Sequence, residues 1–153
     1  MAQYKNLKMA GFILMLMSFT ALAACGSNQE TVTYKLEEDN NSIETSFVAD
    51  DGEIIEQSSQ SITSYESIKG IETKEDAEAL LIPSAEPLQG IEGLEYNLDF
   101  EEDHFIETIT IDFSIVELSE LPGLNEILTN EEENLNLEDA IESLEEQGFK
   151  KVD

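Results

Sequence analysis

The chain has 153 residues, with 35 Asp and Glu, seven Lys, no Arg, one His, one Cys and a formal charge of −28. Such a chain repels nucleic acid, which is bound by clustered Lys and Arg, and repels anionic headgroups, so its attachment to a membrane must be non-electrostatic. The single cysteine excludes an internal disulfide, and no Cys/His cluster offers a structural zinc site.

The N-terminus reads as an address. Lys5 and Lys8 form a positive flank, and Met9 to Ala24 carries no charge. A spanning helix needs about 20 apolar residues, and this run is shorter. It fits the apolar region of a secretory signal peptide, residues 1–24. Leu22-Ala23-Ala24-Cys25-Gly26 resembles the bacterial lipobox. That resemblance implies diacylglyceryl transfer to the Cys25 sulfur and cleavage before it. One acyl chain holds a protein only marginally, whereas the two of a diacylglyceryl group anchor it stably. Two other readings compete: cleavage after Ala21-Leu22-Ala23, releasing a soluble protein that begins at Ala24, and an uncleaved signal anchor. The chain's only cysteine falls at the lipobox position, which favours lipidation. The expected location is the extracytoplasmic face of the cell membrane. Residues 25–30 read as a polar tether.

Residues 31–153 read as one folded domain. Beyond the leader, 36 of 129 residues are Leu, Ile, Val or Phe, about 28%. Disorder is the default only below roughly 20%. Alternation predicts a strand over Thr31–Leu36 and a second over Ile43–Ala49, with Ile43, Thr45 and Phe47 on one face. Asp50-Asp51-Gly52 signals a hairpin turn. Ile54–Tyr65 predicts a third strand, whose Ser, Gln and Thr content suggests an edge or a solvent-facing ribbon.

Thr73 is placed to cap a helix over Lys74–Ile82, with Ala77, Leu80 and Leu81 as its apolar face, Pro83 as its end and room for a second helical turn after Ser84. Leu94, Tyr96, Leu98 and Phe100 alternate, as do Phe105, Ile109, Ile111, Phe113 and Ile115. This hairpin, turning at Glu101-Glu102-Asp103-His104, is expected at the centre of the sheet. Leu121-Pro122-Gly123 reads as a turn, Leu124, Ile127 and Leu128 as one helical turn, and residues 129–134 as an exposed loop. Asn136 caps a last helix whose buried stripe is Leu137, Ile141 and Leu144, and Gly148 stops it. Val152 extends the chain briefly. The fold class is α+β: an antiparallel sheet of about five strands with two main helices packed on it, in a single small domain. A faint echo links Tyr34-x-Leu36 and its acidic turn with Tyr96-x-Leu98 and its own.

Several motifs carry a resemblance. They are Gly70-Ile71-x-Thr73-Lys74-Glu75-Asp76-Ala77, Gly90-Ile91-x-Gly93-Leu94, Glu107-Thr108-x-Thr110-x-Asp112, Leu121-Pro122-Gly123 and Gly148-Phe149-Lys150. Together they resemble the small YehR-type bacterial lipoproteins, from about Thr31 to Val152. The resemblance implies a small α+β domain on a lipid tether and brings no known activity.

No catalytic constellation is complete in the sequence. His104 is expected in a solvated turn, no serine lies in a G-x-S-x-G elbow, and sugar platforms lack Trp. No cofactor or metal site is expected, and no catalysis. The acidic runs at Glu37–Asn41, Asp50–Asp51, Glu101–Asp103 and Glu131–Glu133 do not match a calcium loop. Weak, diffuse condensation of divalent cations on them is expected. The leading reading is a membrane-anchored, non-catalytic binding or assembly module of the bacterial envelope. A calcium- or cation-sensing lipoprotein is the alternative, and a small envelope hydrolase the third class.

Overall fold

The computed structural model describes residues 28–117, 121 and 136–152. Among these, strands β1 (Gln29–Glu38), β2 (Asn41–Asp50), β3 (Glu53–Ser64), β4 (Leu94–Phe100), β5 (His104–Asp112) and β6 (Lys150–Lys151) form one antiparallel sheet in the order β4-β5-β3-β2-β1-β6. Helices α1 (Lys74–Ala85) and α2 (Leu137–Glu146), with short 3-10 turns at Tyr65–Ser67 and Glu86–Leu88, complete the order. The sheet thus has six strands, because the extension at Val152 pairs: Lys150 and Lys151 lie opposite Lys35 and Tyr34, and Val152 N–H donates to Thr33 O at 2.9 Å.

The register fixes two faces. Val32, Tyr34, Phe47 and Ala49 point to one side, where Leu137, Ile141 and Leu144 of α2 cover them together with Phe149. On the same side, beyond β3, Phe105 packs with Tyr65, Ile71 and Ala77 under α1, and Leu94 and Ile111 pack with Val116 and Leu121. The opposite side carries Thr33, Ser46, Ser58 and Thr110 in one cross-strand row. Hydroxyls in that row bond across strands, Thr33 with Ser46 at 2.8 Å and Ser58 with Thr110 at 3.3 Å.

Two expectations about the sheet are corrected. Ile54–Tyr65 is the span of a central strand, not an edge, and the β4–β5 hairpin lies to one side with β4 as an edge. Composition misled because β3 is polar on both faces. Gln57, Ser59 and Ser61 occupy the helix-covered side between Phe47, Thr45, Ile43 and Ile111, Ile109, Glu107. Thr45, 4% exposed, bonds Ser59 at 3.1 Å. The apolar core is accordingly divided: one part under α2, the other near α1, with a polar seam between.

The helix punctuation follows the sequence closely. Thr73 Oγ1 accepts from Asp76 N–H at 3.2 Å and Asp76 Oδ2 accepts from Thr73 N–H at 3.1 Å, a reciprocal cap. The Thr73 hydroxyl bond also holds the Asp76 carboxyl below its ordinary value. Pro83 does not end α1, which continues to Ala85. In the last turn its missing N–H costs only the bond to Ala79 O, and Ser84 Oγ donates to Leu80 O at 3.1 Å. The buried face is Ala77 and Ala85 with Leu81 half-buried; Leu80 is 53% exposed, against expectation.

Helix α2 is capped by Asn136, whose Oδ1 accepts from Glu138 and Asp139 N–H at 2.9 and 3.2 Å. It ends with Gly148 N–H on Glu145 O and Phe149 N–H on Leu144 O, both at 3.0 Å. That pair of bonds needs a left-handed residue, and Gly148 has φ 94°. The β2–β3 turn has Asp51 at φ 52° and Gly52 at φ 86°, the twist that suits a two-residue hairpin. Strand β5 stops at Asp112, whose carboxylate accepts from Ser114 N–H at 2.9 Å, so Ile115 leaves the sheet and is 52% exposed. Tyr34 and Tyr96 both face the helix-covered side, but Tyr34 donates to Glu145 of α2 and Tyr96 to Glu107 of the adjacent strand. The echo therefore does not extend to equivalent contacts. The readings for Pro122, Gly123, Leu124, Ile127, Leu128 and residues 129–134 fall outside the described residues.

Candidate functional site

The lipobox residues Leu22, Ala23, Ala24, Cys25 and Gly26 lie outside the described residues. The described chain begins three residues after Cys25, where Asn28 Nδ2 donates to Asp51 Oδ1 at 2.7 Å. Strand β1 starts at Gln29, two residues before the expected Thr31. The end of the tether is therefore tied to the β2–β3 turn. The start of α2 is tied there too, by Leu137 N–H on Gly52 O at 2.9 Å.

At the other end of the sheet the β1–β2 turn and the β4–β5 loop meet. Ser64 N–H donates to Asn40 O and Tyr65 N–H to Asp103 O, each at 3.0 Å. Between them lies an open pocket of about 360 Å³, lined by Glu37, Asp39, Asn41, Ser64, Asp103 and His104 among others. Two of the four acidic runs thus converge. The third, Asp50–Asp51, sits at the opposite end, and Glu131–Glu133 lies outside the described residues. Among the described residues no three His, Cys, Asp or Glu side chains come together as metal ligands would.

His104 is the first residue of β5 rather than a turn residue, and its side chain is 32% exposed. Its Nδ1 lies 2.7 Å from Asp103 Oδ1, and this contact holds the Asp103 carboxyl below its ordinary range. Ser64 stands opposite His104 in the strand pairing. The trio has the residue types of a nucleophile, base and orienting acid but not the arrangement. Ser64 Oγ reaches Asp103 O at 3.5 Å rather than the imidazole, and the Asp103 side chain is 87% exposed. A hydroxyl not aligned on the imidazole gains no basic partner.

A second polar group sits in the seam between the cores. Tyr96 Oη donates to Glu107 Oε1 at 2.5 Å, and Ser61 Oγ approaches Glu107 Oε2 at 3.5 Å. Burial, then the Glu107 carboxylate, push the Tyr96 phenol well above its ordinary value. These partners saturate each other and make a structural brace more than a reactive group. Beside them, Ile82, Ala85, Tyr96, Leu98 and Phe100 line an apolar groove of about 470 Å³ along β4. The carbonyls of this edge strand are partly occupied: Gln89 Nε2 donates to Tyr96 O and Lys74 Nζ to Phe100 O. Sequence reasoning missed Ser64 and the Tyr96–Glu107 pair. Their meeting depends on strand register, for which no local motif exists.

The fold and these features define a small α+β domain, an antiparallel sheet of six strands with two helices on one face among the described residues. The chain belongs to the family described as "Protein of unknown function (DUF1307)", whose model matches residues 30–150. It is 29% identical over 152 residues to the uncharacterised lipoprotein Lmo0207 of Listeria monocytogenes, covering 97% of this chain and 98% of that one. It is 30% identical over 120 residues to the uncharacterised lipoprotein YehR of Escherichia coli, covering 78% and 74% of the two chains. The NMR structure of E. coli YehR superposes with a TM-score of 0.68 at 26% identity, over 83% of this chain and 93% of that one. A Streptococcus pneumoniae protein solved by NMR shares the fold, with a TM-score of 0.58 at 13% identity over 99% and 98% of the two chains. The resemblance to YehR-type lipoproteins read from the motifs therefore holds. Among the described residues no helix is long and apolar enough to cross a membrane.

Proposed function

We propose that this is an extracytoplasmic lipoprotein. Residues 1–24 serve as its signal peptide, Cys25 carries two acyl chains, and residues 31–153 act as a non-catalytic binding or assembly module of the envelope. One observation carries the reading: the chain's only cysteine stands at the lipobox position, a few residues ahead of strand β1, which begins at Gln29 beside the Asn28–Asp51 bond. The relatives named as lipoproteins, aligned over nearly the whole chain, support it.

Expression in a bacterium with lipoprotein machinery tests the anchor. The wild type should sediment with membranes and partition into detergent, with an intact mass for residues 25–153 plus the lipid. Cys25→Ser should leave an unlipidated precursor or a released form. An unmodified N-terminus at Ala24 in the wild type would show secretory cleavage instead. The reading that competes with it is cation sensing, for which the one supporting observation is that Glu37–Asn41 and Asp103 line one pocket. Calorimetric titration with calcium separates it: a saturable heat with defined stoichiometry supports sensing, and a shallow salt-sensitive heat supports diffuse condensation.

A further inference from the structure

Only five lysines remain after the leader, and the fold gathers three of them, Lys35, Lys150 and Lys151, on one sheet edge. Lys150 pairs directly opposite Lys35, and Lys151 opposite Tyr34. Like charges directly opposite on antiparallel strands destabilise the pair. In a chain with 35 acids, any number of neutralising partners could have stood there. Among the described residues two do, both at Lys35: its Nζ lies 2.7 Å from Glu37 Oε1, whose carboxyl it holds below the ordinary range, and Glu44 stands directly across from it on β2, while neither Lys150 nor Lys151 makes an ion pair. The dipole of α2 does not account for the cluster, because its influence fades within the last turn and both lysines lie beyond Gly148. The lysines border a cavity of about 400 Å³ with Leu36, Gly148 and the 41% exposed Val152.

Strand β1, the strand these lysines flank, is the one that leads directly from the tether. Lys35 stands seven residues beyond Asn28, about 23 Å along an extended strand. An anchored domain lying on its β1–β6 edge would bring Lys35 and Lys150 from one face of the sheet and Lys151 from the other to headgroup level, straddling the edge. The bulk acidity opposes this at long range, but repulsion decays over a Debye length of about 8 Å at physiological salt. The acyl anchor also supplies a high effective concentration, so a contact too weak to recruit a free protein suffices to orient a tethered one.

We propose that the Lys35–Lys150–Lys151 edge binds the phosphate of an anionic lipid headgroup and lays the domain edge-down on the bilayer in which Cys25 is anchored. This rests on the lipidation reading above. The test uses the full lipidated protein in vesicles of phosphatidylcholine, with or without phosphatidylglycerol. Lysines are acetylated by a water-soluble reagent and counted by mass spectrometry. Lys74, whose amine bonds Phe100 O at the opposite edge, and Lys69 serve as internal references. Anionic vesicles should protect Lys35, Lys150 and Lys151 several-fold over the references. Lys150→Gln with Lys151→Gln should remove the protection of Lys35 while the circular dichroism spectrum stays unchanged. Equal labelling of all five lysines, or the same protection in neutral vesicles, overturns the proposal. Equal protection by inorganic phosphate with neutral vesicles overturns the lipid as the source and assigns the site to free phosphate. Failure of the protein to stay on any vesicle overturns the anchor, and this inference with it.

Discussion

Gly93→Ala should cost far more than Gly90→Ala, although both glycines sit at nearly the same positive φ, 83° and 81°. At Gly90 a Cβ would meet nothing within 4 Å. At Gly93 it would lie 2.6 Å from Val116 N and 3.0 Å from Val116 Cα, both backbone atoms that no rotamer change can move. Val116 is itself pinned, with its N–H on Asp112 O at 2.9 Å, while Asp112 N–H donates to Gly93 O at 2.8 Å. The left-handed conformation costs an alanine about 1–2 kcal/mol at either site, offset by about 0.4–1 kcal/mol from the stiffer unfolded chain. Overpacking adds about 1–3 kcal/mol at Gly93 alone. The expectation is a loss of about 1 kcal/mol for Gly90→Ala and about 3 kcal/mol for Gly93→Ala. In thermal melts of a domain this size each kcal/mol moves Tm by about 3–5 °C. Urea midpoints with unchanged slopes would give the same comparison. Equal losses at the two sites would refute the close approach of Gly93 to Val116.

Three further outcomes follow from the packing and charge. Tyr34, Tyr65 and Tyr96 are all held above the ordinary phenol value of 10.0, in each case with burial as the leading cause. The unfolded chain therefore ionises first, so the stability they contribute is intact below pH 10 and falls as pH rises through the folded values. Tyrosinate absorbance should then rise together with loss of the fold, and three freely titrating phenols in a folded protein would contradict this. With five lysines against 35 acids beyond the leader, added sodium chloride should raise Tm, since the screening length falls from about 10 Å at 0.1 M to about 3 Å at 1 M. A Tm that is flat or falling with salt would sink that account. Leu144→Ala, at a half-buried position on the α2 core, should cost about 2–3 kcal/mol. Gly148→Ala, with only an ordinary contact to Leu36 at 3.8 Å, should cost about 1 kcal/mol in the same melts.

What the sequence made legible was punctuation. Thr73, Asp76, Asn136, Gly148 and the Asp51-Gly52 turn each act through bonds to neighbours a few residues away, so local chemistry suffices to read them. Strand order was not legible, because it depends on which strands meet across β3, and polar content in β3 mimicked an edge. Leu80 looked buried because spacing cannot show that α1 turns Ala77 and Ala85 inward. Glu145 accepts the Tyr34 hydroxyl at 3.2 Å, a contact between residues 111 apart in sequence that no local spacing signals. The candidate sites failed to show for the same reason. Ser64 with His104, Tyr96 with Glu107 and Lys35 with Lys150 are all products of register.

The polarity of β3 has a consequence for how its alignment is specified. In most half-buried strands, sliding by one residue drives apolar groups into water, and that penalty enforces the pairing. From Glu56 to Ser61 the two faces of β3 are chemically almost alike, so such a slide would expose little there. Its alignment must instead be set at its ends, by Ile54, 3% exposed, and by Tyr65, 2% exposed, with its hydroxyl on Glu101 O at 2.9 Å. A strand gripped at both ends and indifferent in the middle is sensitive to length. Inserting or deleting one residue between Gln57 and Ser61 should misplace one of those anchors, whereas exchanging Ser and Gln within that stretch should be nearly silent.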